Sequence, residues 1–253
     1  MTDTSEDARS VGRRTVLVAT GTTAAALAVG AAVSTEAPAA SAAPNLQQTA
    51  AAAAVCSLTE EMTKGPYYLD GALVRTNITE GKSGIALSLA LTAVNSACTV
   101  IPNALVEVWH ADALGEYSGY VGNNGHSESD DGTFLRGGVL TNSSGVANIT
   151  TIYPGWYRGR CIHIHVKVHT GVTLTSDGSF SGGTTVHTGQ LFINESITTA
   201  VAKVSPYSTN TVTRTTLSGD SIYDGGGASS GLMTVTGSTS AGYTGTLTLG
   251  VSS

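Results

Sequence analysis

The residues with the clearest potential for chemistry are two histidines, His163 and His165, in the segment RCIHIHVKV at 160–168. Side chains alternate between the faces of a β-strand, so both imidazoles and Cys161 are expected on one face, with isoleucine and valine on the other. Two imidazoles two residues apart on one strand face can bind the same metal ion, and neutral imidazole suits iron, zinc and copper. The alternative is a pair of surface histidines on a half-exposed strand.

Two tyrosines near this strand could complete a metal site. Tyr157 follows Pro154-Gly155, a pair typical of a turn that would bring the phenol to the mouth of the histidine strand. Tyr117 lies in the loop after a predicted strand that ends at His110. A phenol has an ordinary pKa of about 10 and stays protonated at neutral pH unless a cation ionises it. Coordination to a hard trivalent cation gives a phenolate, an oxygen donor that favours Fe(III) over Fe(II) or zinc.

A scaffold of short strands must position these side chains. Stretches rich in β-branched residues, separated by turn sequences rich in Asn, Asp, Ser and Gly, predict strands over 85–94, 104–110, 146–152, 161–169, 189–193, 232–236 and 243–251. Residues 237–242 are predicted to form a hairpin loop, and one short helix is predicted over 196–201. Many short strands without long helical patterns indicate an all-β fold. We expect a β-sandwich of mixed or antiparallel strands, with the metal site on loops and one strand.

Composition limits the possible functions. The chain has 253 residues, of which 41% are hydrophobic and 12% charged, with 31 glycines and a formal net charge of −6. This length fits one domain of ordinary size or two small ones. The negative charge argues against binding by phosphate neutralisation, so no nucleic-acid partner is expected. Low charge with abundant Thr, Ser and Gly suits a secreted β-rich protein.

Residues 1–42 have the features of a twin-arginine export signal. Arg13 and Arg14 precede a weakly apolar run over 16–33, and a small-residue cleavage motif ends at Ala42. A membrane anchor is the alternative, because the run approaches the ~20 residues that a span needs. We expect cleavage, and therefore an extracellular protein without a stable membrane anchor. Because the twin-arginine route is associated with proteins exported already folded, often with a cofactor in place, a metal site is a natural expectation.

The mature chain is predicted to begin with an Ala-rich linker over 43–55, followed by one domain over 56–253. Its three cysteines cannot form a disulfide framework, but an oxidising compartment permits one bridge. The preferred pair is Cys56 with Cys98, which would tie the start of the domain to a loop. Cys161 is then a buried free thiol.

Several ordered motifs give the chain from Cys56 to Ser253 a resemblance to the catalytic domain of the intradiol ring-cleavage dioxygenases. These are non-haem Fe(III) enzymes that open catechols between the two hydroxylated carbons. The matching segments are KGPYY at 64–68, VEVWH at 106–110, GEYS at 115–118, residues 151–157, the RxxHxH pattern at 160–165 and TGQLF at 188–192. Together these motifs are far more specific than any one of them.

The resemblance implies an Fe(III) cofactor, a small aromatic diol and O2 as substrates, and a cis,cis-muconate-type diacid as product. Arg160 would face the substrate ring, Gln190 would lie near the bound catechol, and Tyr157 would leave the iron and accept a substrate proton. The implied metal ligands are Tyr117, Tyr157, His163 and His165.

Two other functions remain possible from the sequence. A cupin-like oxygenase also has His-x-His on a strand, but it needs a carboxylate about four residues after the pair and a later histidine. Thr170 and Gly171 follow His169, with no acid nearby. A secreted β-sandwich binding module without catalysis would keep the fold and lack iron. The family's long helical dimerisation region is absent ahead of Cys56, which leaves the oligomeric state open, and the sequence does not select one catechol.

Overall fold

A computed structural model describes residues 56–120, 130, 132–227 and 230–252. The predicted export signal at 1–42, the linker at 43–55 and the loop histidine His126 lie outside the described residues. Within the described part of the chain, no helix is both long enough and apolar enough to cross a membrane.

In the described part of the chain, eight strands form two four-stranded sheets, which confirms the predicted β-sandwich. The strands are β1 (Ala86–Asn95), β2 (Leu105–Trp109), β3 (Arg136–Leu140), β4 (Val146–Ile152), β5 (His163–Leu174), β6 (Phe180–Phe192), β7 (Thr234–Ser238) and β8 (Gly242–Val251). One sheet has the order β4-β1-β8-β7 and the other β3-β2-β5-β6. The strands β1 and β8 are parallel, and the remaining neighbours are antiparallel. A short helix, α1 (Glu195–Val201), follows β6 and is capped by the Asn194 side chain.

The alternation predicted for the histidine strand is present in β5. Ile164 and Val166 point into the main hydrophobic core, which combines buried side chains from both sheets. His163 and His165 point away from that core, and they are 3% and 1% exposed. Burying an aliphatic side chain of this size contributes about 1.5–3 kcal/mol, so the apolar face fixes the register of the strand. The two imidazoles are therefore held on the opposite face.

Strand β3 was not predicted, because Arg136-Gly137-Gly138 has the composition of a turn. The glycines are explained by packing instead. A Cβ on Gly137 would lie 2.6 Å from Cγ2 of Ile78, and one on Gly138 would lie 3.0 Å from Cδ1 of Leu105. Both contacts come from segments far away in sequence, so local composition carries no sign of them.

The hairpin of β5 and β6 is longer than predicted. Strand β5 continues to Leu174, beyond its predicted end at 169. Strand β6 begins at Phe180, well before its predicted start at 189. Most of the outer half of this hairpin is exposed, so it lacks the apolar alternation that marks a strand half buried on a core.

Cys56 and Cys98 form a disulfide, as predicted, and Cys161 is a buried free thiol. The bridge spans 42 residues and ties the start of the described chain to the turn after β1.

We expect the double substitution Cys56→Ala/Cys98→Ala to lower the free energy of unfolding by about 2–4 kcal/mol, because an open chain gains entropy in the unfolded state. Urea unfolding of both proteins, with and without reductant, measures the effect. Reductant should lower the midpoint of the wild type and leave that of the double variant unchanged. Equal midpoints for the oxidised and reduced wild type would contradict the prediction.

Candidate functional site

The two histidines of β5 face each other at close range. Their Nε2 atoms lie 3.2 Å apart, and both rings are buried. His163 donates its Nδ1 proton to the carbonyl oxygen of Cys161 at 2.7 Å, because a carbonyl can only accept. The Nε2 atom of a neutral His163 therefore carries a lone pair that points toward His165.

Both imidazoles are neutral in the absence of a metal ion. Burial, followed by the nearby Arg160 guanidinium, lowers the pKa of His163 to about 3. Burial, followed by the neighbouring His163, holds the pKa of His165 well below its usual range. Neutral imidazole is the form that binds metal ions.

His165 is oriented by ring stacking rather than by a hydrogen bond. Its ring lies parallel to the Trp109 indole, with centroids 4.9 Å apart and an interplanar angle of 4°. Among the described residues, its buried Nδ1 atom has no hydrogen-bond partner. Gly65 also approaches the ring so closely that a Cβ there would lie 3.1 Å from Cε1 of His165. Trp109 and Gly65 therefore leave the ring little room to turn.

The phenols of Tyr117 and Tyr157 join the histidines. Their Oη atoms lie 3.4 Å and 3.3 Å from Nε2 of His163. Burial, then the neighbouring Tyr157, raises the pKa of Tyr117 well above its usual value. Burial raises the pKa of Tyr157 to about 12. Both phenols are thus protonated unless a cation ionises them.

The loops that carry the two tyrosines are joined to each other. Asp112 bends the loop before Tyr117 by accepting hydrogen bonds on Oδ1 from the amides of Leu114 and Glu116, at 2.9 and 3.0 Å. The amide of Gly155 donates to the Asp112 carbonyl at 2.9 Å. A Cβ on Gly155 would lie 2.4 Å from that oxygen, so only glycine permits this contact.

His110 fixes the end of β2. It is not part of the donor cluster, which consists of Tyr117, Tyr157, His163 and His165. Its Nδ1 donates to the Ala111 carbonyl at 2.8 Å, so its Nε2 accepts from Oγ1 of Thr151 at 2.7 Å. His187 also lies apart from the cluster, because its Nδ1 pairs with Oε1 of Glu61 at 2.7 Å.

Arg160 and Gln190 lie against the donor cluster. Arg160 Nη2 donates to Oε1 of Gln190 at 2.6 Å, and Nη1 lies 3.4 Å from Nε2 of His163. Gln190 is held in turn, because its Nε2 donates to the Thr63 carbonyl at 2.9 Å. The structure therefore brings together all six residues that the sequence selected, which are Tyr117, Tyr157, Arg160, His163, His165 and Gln190.

Three further side chains at the site were not selected from the sequence. The Tyr67 ring stacks on Tyr117, with centroids 4.7 Å apart, and it meets the Tyr157 ring edge-on at 5.8 Å. Tyr67 belongs to the KGPYY motif at 64–68, but no role at the site is assigned to it from the sequence. Arg136, on the unpredicted strand β3, lies 5.8 Å from the Tyr117 ring and donates from Nε to Oγ of Ser118 at 2.7 Å. Asp220 binds Arg160, with 2.8 Å between Oδ2 and Nε.

The cluster fits one metal ion better than it fits a set of hydrogen bonds. A single lone pair on His163 Nε2 cannot satisfy Tyr117, Tyr157 and Arg160 together while also facing His165. Two donors that each lie about 2.0–2.2 Å from a shared ion are at most ~4.4 Å apart, and the distances to His163 Nε2 are below this limit.

The phenols decide which ion fits. Among the described residues, no group of three or more His, Cys, Asp and Glu side chains could hold a metal ion. An ion at this cluster therefore depends on two phenol oxygens beside the two imidazoles. Two phenolates carry two negative charges on hard oxygen donors, which suits a trivalent ion such as Fe(III).

Comparisons with known proteins identify similar dioxygenases. A family model described as a dioxygenase matches residues 63–174. A solved structure described as an intradiol ring-cleavage dioxygenase from Tetranychus urticae is 30% identical to this chain, with a TM-score of 0.67, and the match covers 78% of this chain and 95% of that one.

Two more distant structures support the fold alone. The dioxygenase domain of a dioxygenase carbohydrate-binding protein fusion from Streptomyces sp. SirexAA-E is 23% identical, with a TM-score of 0.53, over 78% of this chain and 99% of that one. Catechol 1,2-dioxygenase from Acinetobacter sp. ADP1 is 20% identical, with a TM-score of 0.52, over 77% of this chain and 62% of that one. A search of curated proteins found no match.

Proposed function

The chain belongs to the intradiol ring-cleavage dioxygenases, and we propose that it is an Fe(III)-dependent enzyme that cleaves catechol-type diols with O2 to cis,cis-muconate-type diacids. The observation that carries this proposal is the convergence of two phenols and two imidazoles, since the Oη atoms of Tyr117 and Tyr157 and the Nε2 atom of His165 all lie within 3.4 Å of His163 Nε2. These four side chains would hold the ion. When bound, Fe(III) supplies a Lewis acid and a template that brings both diol oxygens to one place.

The two tyrosines have different roles in this proposal. Tyr117 is 3% exposed and is covered by the stacked Tyr67 ring, so it remains a permanent donor. Tyr157 is only partly buried, which leaves its side chain more freedom to move. Its Oη atom is the acceptor for a proton from one hydroxyl of the diol. A phenol suits this task because its unperturbed pKa, about 10, is close to that of a catechol hydroxyl.

Arg160 supplies positive charge beside the substrate ring. Its Nη2 is bound to Gln190, while Nη1 faces the donor cluster at 3.4 Å from His163 Nε2. A guanidinium keeps its charge at any physiological pH. Placed here, it stabilises the negative charge that grows on the ring as it becomes electron-rich enough to react with O2.

The location of the enzyme is a separate part of the proposal. The paired arginines, the weakly apolar run and the small-residue cleavage motif in residues 1–42 support export by a twin-arginine route. An exported enzyme would meet diols outside the cell, including catechols derived from plant material or lignin.

The proposed function predicts a coloured protein, because ferric phenolate absorbs broadly in the visible. We expect the iron-loaded protein to be wine-red, its spectrum to shift when catechol is added without O2, and O2 to be consumed when air is admitted. Catechol, protocatechuate and hydroxyquinol form the first substrate panel. The matched control is the same protein loaded with Zn(II), which has no redox chemistry and should give neither colour nor O2 uptake.

A protein that stays colourless after reconstitution with Fe(III) and consumes no O2 with any diol would contradict the proposal. That result would favour the binding module without catalysis.

A further inference from the structure

Asp220 binds the Arg160 guanidinium. It lies in a segment that follows, in sequence, all of the motifs of the site. It follows a short 3-10 helix at Leu217–Gly219, and it is 1% exposed. A buried carboxylate is costly unless hydrogen bonds compensate for the lost water. The contacts of Asp220 therefore indicate what it is there to hold.

Both oxygens of the Asp220 carboxylate are fully used. Oδ2 accepts from Nε of Arg160 at 2.8 Å and from the amide of Cys161 at 2.7 Å. Oδ1 accepts from the amides of Ile222 and Tyr223 at 2.9 and 3.2 Å. Burial alone would raise the pKa of this carboxyl, but the hydrogen bonds from Cys161 and Arg160 outweigh burial and lower the pKa to about 2. Asp220 is thus an anion at neutral pH.

These contacts fix the direction of the Arg160 guanidinium. The group is planar, so two anchored nitrogens determine where the third one points. Asp220 holds Nε and Gln190 holds Nη2 at 2.6 Å. The remaining nitrogen, Nη1, is directed at the donor cluster, 3.4 Å from His163 Nε2.

The same carboxylate also reaches His163 through the backbone. The amide of Cys161 donates to Asp220, and the carbonyl of Cys161 accepts the Nδ1 proton of His163 at 2.7 Å. One buried anion therefore steadies both the cation at the site and the backbone group that orients one imidazole.

We propose that Asp220 is a positioning residue, which holds Arg160 in the orientation that directs its Nη1 at the diol. This inference rests on the proposed function, because it assigns a role to Arg160 in the same reaction. Asp220 itself does not contact the diol in this proposal, since its carboxylate is already occupied by four donors, and its main effect on the reaction is through Arg160.

The test is a double-mutant cycle on Asp220 and Arg160. Asparagine at 220 has one acceptor oxygen and one NH2 group, so it cannot serve both pairs of donors. We expect Asp220→Asn to lower kcat/KM about 10- to 100-fold, the range for losing a hydrogen bond to a charged group. In an Arg160→Met background the same substitution should lower kcat/KM less than about threefold, because the guanidinium that Asp220 positions is gone. An equal loss in both backgrounds would overturn the proposal.

Two further variants separate positioning from general damage. Glu195→Gln changes another carboxylate of the same region, which accepts from the amide of Leu217 at 3.2 Å and pairs with Arg214, and it should retain activity. Asp220→Glu keeps the charge and should recover part of the loss. Equal losses in Asp220→Asn and Asp220→Glu, with unchanged thermal midpoints, would assign the effect to packing and overturn the proposal.

A readout that does not need activity distinguishes this proposal from the proposed function. Crystal structures of the full chain with and without Asp220→Asn should show Arg160 leaving Gln190 in the variant. Arg160 remaining on Gln190 would overturn the positioning role. If the structures differ as expected but the wild type cleaves no diol, the proposed function fails, and only the finding that Asp220 holds Arg160 toward His163 stands.

Discussion

The Tyr157→Phe variant is expected to cleave catechols about 100- to 10,000-fold more slowly than the wild type, the range for losing a general base. Phenylalanine preserves the ring packing against Tyr67 and His163 and removes only the oxygen. The proton of the diol then has no acceptor at this position. Because three donors remain, iron binding should weaken but stay detectable.

Turnover numbers and iron content, measured on the same samples, separate the two effects. The matched control is Tyr120→Phe, which alters another tyrosine that contacts Tyr67, with ring centroids 5.3 Å apart. Tyr120 contributes no atom to the donor cluster, so this variant should remain close to the wild type. Wild-type turnover in Tyr157→Phe would remove Tyr157 from the proton transfer.

The parts of the fold that the sequence could predict are those set by local pattern. Strand β5 was predicted because its core face is continuous in isoleucine and valine, and this alternation alone placed both histidines on the other face. Strand β3 carries no such pattern. Its glycines are required by Ile78 and Leu105, whose approach depends on the completed fold.

The site divides in the same way. His163 and His165 share one strand, and Tyr157 is six residues from His163, so spacing and motifs were sufficient to select them. Asp220 is 60 residues from Arg160, and the preceding Ser218-Gly219 reads as an ordinary turn. Nothing local indicates that its carboxylate is buried beneath a guanidinium. The pairing of Arg136 with Ser118 was missed for the same reason, because β3 itself was not predicted.

The family model also leaves the second half of the site to the structure. The family model ends at residue 174, whereas Gln190 and Asp220 lie beyond it. Both residues bind Arg160, which stands at the start of the histidine strand. The later part of the chain therefore orients the Arg160 guanidinium, while the earlier part supplies the four side chains of the donor cluster.

His165→Ala is expected to lose more than about 100-fold in iron affinity. Partners that only orient a ligand are worth about 10- to 100-fold, so removing a ligand should cost more. Iron per protein chain and visible absorbance after reconstitution measure the loss. The matched control is His187→Asn, which removes a histidine of β6 that pairs with Glu61 away from the cluster, and it should leave iron content unchanged.

Thermal unfolding gives this prediction a second readout that is independent of colour and catalysis. An ion that binds only the folded chain stabilises it in proportion to the logarithm of its concentration over the dissociation constant. Iron should therefore raise the unfolding midpoint of the wild type and of His187→Asn. It should leave that of His165→Ala close to the iron-free value. An equal rise in all three proteins would mean that iron binds elsewhere, and the four-donor centre would have to be abandoned.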